Sequence, residues 1–116
     1  MFFDYSAFDY YIKPGIVDMR CGIDRLVKVV QRQMLLDPFK EDSMFLFCGR
    51  TKKNLKVLVC DQNVFWLMQK KLLMGTYAWP IDEEEALKLT KDDVVQLLYG
   101  AVIFRKLPDL GNDLII

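Results

Sequence analysis

Three apolar runs lie close together in the middle of the chain, and short polar segments separate them. The runs span residues 44–48, 55–60 and 64–69, and they are joined by six residues and by three. Runs of this length bounded by turn-forming residues are typical of strands, and such short connections suit antiparallel hairpins. The pattern therefore predicts a β-meander, to which residues 76–79 are a candidate further strand.

The segment before the meander predicts another strand and a helix. Residues 8–13 are dominated by aromatic and β-branched side chains, which favour a strand, and Pro14 and Gly15 follow them. From Gly22 onward the apolar residues repeat at the spacing of one helical face. This periodicity predicts a helix over about 22–35.

A shorter helix is predicted near the end of the chain. Thr90 and Asp93 have the spacing of a helix N-cap, although Glu or Gln is more usual at the second position. Val94 and Leu97 supply an apolar face, and Gly100 marks the expected end. The predicted class is α+β: an antiparallel β-meander of about four to five strands packed with one longer N-terminal helix and a short C-terminal helix.

The chain has 116 residues, a length that is typical of one domain. We expect an aromatic N-terminal segment over 1–11, a single domain over 12–105 and a C-terminal tail over 106–116. Three cysteines without a CxxC pair favour a reducing compartment. No apolar run reaches the roughly 18 residues of a membrane span, and the N-terminus lacks the pattern of a signal peptide. These features predict a cytoplasmic protein with no membrane partner.

Much catalytic chemistry is excluded because the chain has no histidine. This removes zinc sites built on histidine and the Ser-His-Asp and Cys-His arrangements. Residues 82–85 are four consecutive acids, and acids at one site for Mg²⁺ normally converge from separate elements. A solvated acidic loop is the preferred interpretation, and the cysteines Cys21, Cys48 and Cys60 are interpreted as buried apolar residues. We predict no catalytic residue, metal site, cofactor or small-molecule substrate.

The charges are unevenly placed, although the net charge is zero. Residues 49–71 hold six basic residues and one acid, and residues 20–32 hold four basic residues and one acid. Residues 81–93 hold six acids and two lysines. A basic hairpin beside a basic helix face predicts contact with phosphates of double-stranded DNA. The alternative is that lysines on strands and hairpin tips only discourage aggregation between sheets.

The predicted DNA contacts are basic residues of the hairpin and of the segment before the helix: Arg20, Arg50, Lys52, Lys53, Lys56, Lys70 and Lys71. Such side chains would position the protein on phosphates without reading base sequence. Arg20 has an alternative role, because it can pair with Asp18 or Asp24 in a structural salt bridge.

Several ordered motifs resemble one known family. They are the segment Ile16 to Leu26 with the sequence IVDMRCGIDRL, the Asp37-Pro38-Phe39 triplet, the strand Met44 to Phe47, the Trp79-Pro80 pair and the segment Leu97 to Gly100. In order and spacing the chain resembles, over about 12–105, the TnpB accessory protein family of the insertion-sequence sixty-six elements.

The resemblance implies a non-catalytic accessory protein of a bacterial mobile element that encodes a separate DDE-type transposase. We therefore expect a protein that contacts DNA of the element, the transposase, or both. The alternative is a pure protein–protein adaptor that uses the acidic region 82–93 and the exposed aromatic side chains instead of the basic hairpin. A small metal-dependent nuclease is a third and weaker hypothesis.

Overall fold

A computed structural model of the chain describes residues 7–98. Within this range the elements are β1 (Asp9–Ile16), α1 (Ile23–Arg32), β2 (Ser43–Cys48), β3 (Asn54–Asp61), β4 (Val64–Lys71), α2 (Glu83–Leu87) and α3 (Lys91–Leu98). The strands form one sheet in the order β1-β2-β3-β4. The fold is therefore a mixed four-stranded sheet with three helices in the described part of the chain.

The three apolar runs are β2, β3 and β4, and the two predicted hairpins are confirmed. Every residue of β2 is buried, as are the residues from Leu55 to Cys60 in β3. Strands at the centre of a sheet show continuous apolar runs instead of alternation when both faces of the sheet are covered. The antiparallel prediction is therefore right for these three strands.

The first strand corrects the predicted meander, because β1 pairs with β2 in parallel. The helix α1 lies between the two strands in the chain, and parallel neighbours need such a crossover connection. Residues 76–79 are a second correction, because they form no strand. Their backbone runs from the end of β4 toward β1 instead. On this path the N–H of Tyr77 donates to the carbonyl of Lys52, which lies between β2 and β3, at 2.7 Å.

The strand β1 continues through Pro14 and Gly15, where the sequence had predicted its end. The pairing shifts between Ile12, opposite Leu46, and Ile16, opposite Cys48. Pro14 has no N–H to give to a ladder, and such residues are tolerated at irregularities of this kind. Gly15 adopts a φ of 75°, and its N–H donates to the carbonyl of Pro80 at 2.9 Å. The bulge therefore holds the later segment against the sheet.

The predicted long helix is shorter than expected, since α1 ends at Arg32. The chain turns away because Leu35 adopts a φ of 57° and the N–H of Leu36 donates to the carbonyl of Val30 at 3.0 Å. Leu26 and Val30 are fully buried against the sheet, as the apolar periodicity predicts. The period identified the buried face correctly and misplaced the end by one turn.

The acidic segment forms the short helix α2, which corrects the expected loop. The Asp82 side chain accepts a hydrogen bond from the N–H of Glu85 at 2.8 Å. The acids in the first turn interact favourably with the positive end of the helix dipole. The predicted cap of α3 is confirmed, because Thr90 and Asp93 exchange hydrogen bonds of 3.0 and 3.1 Å. The end expected at Gly100 lies outside the described residues.

Two apolar clusters fill the two faces of the sheet. On one face α1 packs on Phe45, Phe47 and Leu58. On the other face Tyr77, Trp79 and the apolar side of α3 cover the alternate residues of β2 and β3. Because the sheet lies between two layers, its loops and its outer strands are the parts that meet solvent.

Candidate nucleic-acid interface

Two loops meet at the end of the sheet where β2 finishes and β3 begins. They are the β1–α1 loop, residues 17–22, and the β2–β3 turn, residues 49–53. Gly49 lies so close to Met19 that a Cβ there would come within 2.5 Å of the Met19 Cγ. Only glycine permits this approach. We call this region, together with the neighbouring end of β4, the basic end of the sheet.

Arg20 stands on the β1–α1 loop and pairs with Asp18, one of its two predicted alternatives. Its Nη2 lies 2.7 Å from Oδ2 of Asp18, and its backbone N–H donates to Oδ1 at 2.9 Å. The hydrogen bonds from Arg20 lower the pKa of Asp18 to about 2. The side chain of Arg20 remains 89% exposed. The pair therefore orients the guanidinium while offsetting part of its charge.

Lys56 is buried and does not belong to the exposed basic surface. The residue is 7% exposed, and its Nζ donates to the carbonyls of Met19 at 2.8 Å and Cys21 at 2.7 Å. A buried ammonium needs such partners to offset its loss of hydration. Lys56 therefore fastens the backbone on both sides of Arg20, and we leave it out of the proposed contact surface.

The β2–β3 turn is held by backbone hydrogen bonds. The N–H of Lys52 donates to the carbonyl of Gly49 at 2.9 Å, and Lys52 adopts a φ of 58°. The carbonyl of Lys53 accepts from the N–H of Leu72 at 2.8 Å. Arg50 is exposed, whereas Lys52 and Lys53 are half-buried. The turn thus presents its cations from a fixed backbone.

The two lysines at the end of β4 point to opposite faces of the sheet. Lys70 is opposite Leu55 and Lys71 is opposite Asn54, and successive side chains of a strand alternate between faces. Lys70 is half-buried, and burial lowers its pKa. Lys71 is exposed on the face that α1 covers. Only Lys71 extends the basic surface toward the helix.

The exposed side of α1 adds charges that the predicted contact set omitted. Arg25, Lys28 and Arg32 are all exposed, and their spacing of three and four residues places them on one side of the helix. The positive charge of Arg25 also contributes to the low pKa of Asp18, after the larger effect of the Arg20 hydrogen bonds. This stripe begins directly after the β1–α1 loop, so it continues the basic surface from Arg20 along the helix.

The acidic residues and the thiols form no metal-binding cluster in the described part of the chain. Within residues 7–98, no group of three Cys, Asp or Glu side chains is arranged to hold a metal ion. The cysteines Cys21, Cys48 and Cys60 are buried and unpaired in disulfides, as predicted, and burial raises the pKa of Cys48 to about 11. The same range contains no helix with the length and apolar character to cross a membrane.

The fold and this region define a small α+β protein that presents cations from tied loops at one end of a mixed sheet. Its residues 8–107 match the model of the family described as IS66 Orf2 like protein. An uncharacterised protein, y4hO, of Sinorhizobium fredii (strain NBRC 101917 / NGR234) is 34% identical over 90 residues, which are 78% of this chain and 77% of that protein. No solved structure matches the chain.

The chain belongs to the IS66 Orf2-like family. The family consists of accessory proteins associated with transposition and is not a known enzyme family. The resemblance derived from the sequence motifs is confirmed, and the match extends slightly beyond both ends of the range in which those motifs lie.

Proposed function

We propose that this protein is a non-catalytic accessory protein for transposition of a bacterial insertion sequence, and that its basic end contacts the phosphate backbone of the element's DNA. The observation that carries the proposal is the meeting of the β1–α1 loop and the β2–β3 turn at one end of the sheet. This brings Arg20 and Arg50, which are far apart in the chain, to the same end of the molecule.

The proposed contact set differs from the one predicted from sequence. It keeps Arg20, Arg50, Lys53 and Lys71, which are exposed or half-buried at this end. Lys56 is omitted because its ammonium is bound to two carbonyls. The remaining predicted residues, Lys52 and Lys70, are secondary. Lys52 lines a small cleft that Glu85 also lines, and Lys70 lies on the opposite face from α1.

Phosphate contact suits this arrangement for a physical reason. Cations that neutralise phosphates release condensed counterions, which gives affinity without base readout. The turn and the loop are tied by hydrogen bonds, so little conformational entropy is lost when they meet DNA. The transposase of the same element is the proposed protein partner, and the DNA contact would bring the two proteins to the same site.

The test is fluorescence anisotropy of the purified protein on duplex DNA from the terminal repeats of the element and on a shuffled duplex. The salt series is then repeated with the double variant Arg50→Ala, Lys53→Ala. We expect the slope of log affinity against log salt to become shallower by about two, roughly one for each lost phosphate contact. The affinity for both duplexes is expected to fall together, because neither side chain reads bases.

The matched control is the double variant Lys40→Ala, Lys88→Ala, which also removes two cations, both of them exposed and outside the basic end. We expect its salt slope to equal that of the unmodified protein. An equal change in both double variants would mean that only net charge matters, and it would refute a localised contact. Absence of binding to either duplex at low salt would refute the DNA proposal.

A pure protein–protein adaptor is the second candidate function, and one observation favours it. Acidic α2 packs beside the edge strand β1, and both line an open groove. In that case purified transposase binds the protein without DNA, and the complex responds less steeply to ionic strength than a DNA complex does, because no condensed counterions of DNA are released.

A further inference from the structure

An open groove of about 1080 Å³ runs along the outer edge of β1, away from the basic end. Residues 9–14 of β1 form its floor. One wall is the segment 33–36 that follows α1, and the other is formed by residues of α2 and the beginning of α3. An edge strand thus lies at the bottom of a cleft between helical walls.

The backbone of β1 has hydrogen-bonding capacity directed into this groove. Within residues 7–98, no strand pairs with the outer edge of β1. The N–H of Asp9 donates to the carbonyl of Asp42 on the β2 side at 2.8 Å. Because alternate residues of a parallel strand direct their backbone groups to opposite sides, the N–H and C=O of Ile12 point outward. The bulge that begins after Ile12 breaks this alternation, and there the carbonyl of Lys13 accepts from Trp79 Nε1 at 2.9 Å.

The wall formed by α2 and by residue 81 before it exposes large apolar side chains beside this edge. Leu87 is 80% exposed and Ile81 is 64% exposed, and both line the groove. Leu87 is the last residue of a helix whose other residues are mostly acidic. Apolar side chains placed together next to an unpaired strand edge are typical of a surface that receives another chain.

The charges in the groove leave two carboxylates unpaired in the described part of the chain. Both lysines have partners: Lys13 Nζ donates to the carbonyl of Pro14 at 2.7 Å, and Lys91 Nζ lies 5.6 Å from the centre of the Tyr10 ring. The carboxylates of Asp9 and Glu83 line the same groove, and neither forms an ion pair among residues 7–98. The groove is therefore suited to a chain that carries cations.

We propose that the groove binds an extended segment of a partner protein, which adds to the outer edge of β1 as a further strand. Main-chain hydrogen bonds to Ile12 would supply part of the affinity, as in other cases of strand addition. Alternate apolar side chains of the segment contact Ile81 and Leu87, and a Lys or Arg of the segment pairs with Asp9 or Glu83. The site is separate from the DNA contact and extends the proposed function to a protein partner of defined chemistry.

The experiment uses a display library of random 12-residue peptides, selected on the full-length protein. Selected peptides are expected to share alternating apolar residues and at least one Lys or Arg. A fluorescein-labelled peptide of the consensus sequence is then titrated by anisotropy against the protein and its variants. We expect Leu87→Lys and Ile81→Lys each to weaken binding at least tenfold, and Glu83→Lys to weaken it as well.

The matched control is Leu73→Lys, which introduces the same change at a leucine that is 91% exposed and does not line the groove. We expect this variant to bind the peptide like the unmodified protein. Hydrogen exchange supplies a readout specific to strand addition, because the amide of Ile12 is expected to slow when the peptide binds. All four variants replace exposed side chains, so we expect them to fold. Circular dichroism checks their folding before titration.

Each of the following results would overturn the proposal that a partner segment binds in the groove. No enriched consensus, or a peptide whose affinity is insensitive to Leu87→Lys and Ile81→Lys, removes the groove as its site. An Ile12 amide that exchanges equally slowly with and without peptide means that the edge is already paired. A dimer in light scattering that Leu87→Lys dissociates assigns the groove to a second copy of the chain. The DNA salt slope is expected to be unchanged in the three groove variants, so this test and that of the DNA contact fail separately.

Discussion

The basic end of the sheet and the β1 groove differ in how their backbone groups are used. At the basic end, the carbonyls of Met19 and Cys21 accept hydrogen bonds from Lys56. The carbonyls of Lys52 and Lys53 accept hydrogen bonds from backbone N–H groups of the segment that follows β4. In the groove, the edge of β1 lacks a partner strand among residues 7–98. A region whose backbone is satisfied can hold side chains in place, whereas one with open backbone groups can receive a chain.

The comparison also separates two uses of charge. Lys56 acts within the molecule, because its ammonium is buried and hydrogen-bonded. Arg50 and Lys71 are exposed at the same end, and Asp9 and Glu83 are exposed along the groove. Charge of both signs is therefore available to partners, at different places on a chain whose net charge is zero.

The largest expected effect is a loss of stability when the hydrogen bonds from Lys56 to the backbone of the basic end are removed. Lys56→Met keeps the length of the side chain but leaves the carbonyls of Met19 and Cys21 without their donor. We expect the free energy of unfolding to fall by about 3 kcal/mol, since a buried carbonyl left unsatisfied costs about 1–3 kcal/mol, and the Cys21 carbonyl is in a buried contact and the Met19 carbonyl in a half-buried one. Urea denaturation followed by circular dichroism measures the change.

The control for this prediction is Lys71→Met, because Lys71 is an exposed lysine at the same end of the sheet. Its substitution is expected to change the free energy of unfolding by no more than about 0.5 kcal/mol. If the two variants were equally stable, the hydrogen bonds of Lys56 would have no structural importance, and Lys56 would return to the set of candidate DNA contacts.

A smaller effect is expected beside the groove, where Leu35 has a φ of 57° and is 80% exposed. A left-handed conformation costs a residue with a side chain about 1–2 kcal/mol, and glycine adopts it readily. After the greater freedom of glycine in the unfolded chain is subtracted, Leu35→Gly is expected to stabilise the protein by roughly 0.5 kcal/mol. Thermal unfolding measures this gain, and a loss of stability would mean that the Leu35 side chain has an apolar contact of importance.

The smallest expected effect concerns the exposed pair of Asp18 and Arg20. The pKa of Asp18 is lowered from 3.8 to about 2, so the folded protein favours the ionised carboxyl more than the unfolded chain does. Its contribution to stability is therefore complete above pH 3.8 and is lost as the pH falls toward 2. Asp18→Asn is expected to flatten the dependence of the free energy of unfolding on pH in that window. Near pH 7 the variant is expected to be less stable by a small amount that does not vary with pH.

The measurement is the free energy of unfolding at a series of acidic pH values for both proteins, with Asp24→Asn as the control. Asp24 is an exposed acid in the first turn of α1 that forms no ion pair within residues 7–98. Equal flattening in the two variants would contradict a specific role for the Asp18–Arg20 pair.

Several features of the fold could be predicted because they depend on local pattern. Continuous apolar runs identified β2 and β3, since strands covered on both faces have no polar side. The apolar run 64–69 also identified β4, although this edge strand is only partly buried. The helical period identified the buried residues of α1, and the spacing of Thr90 and Asp93 identified the cap of α3. The pairing direction of β1 was missed because a strand pattern contains no information about which neighbour it joins.

The candidate sites were predicted less completely. A lysine within the apolar run 55–60 was a signal that Lys56 is buried, but its two acceptors come from a loop 35 and 37 residues away. The groove had no sequence signal, because its floor and walls are brought together from three separated segments.

The sequence by itself determined the central strands, the buried faces of the helices, the family and the excess of charge in each segment. These follow from side-chain periodicity and from motifs that neighbouring residues form. Only the tertiary structure decided that Lys56 fastens a loop, that β1 runs parallel to β2 and that its edge lies at the bottom of a groove. Those features depend on contacts between segments that are distant in the chain, and such contacts are set by how the segments pack around the sheet.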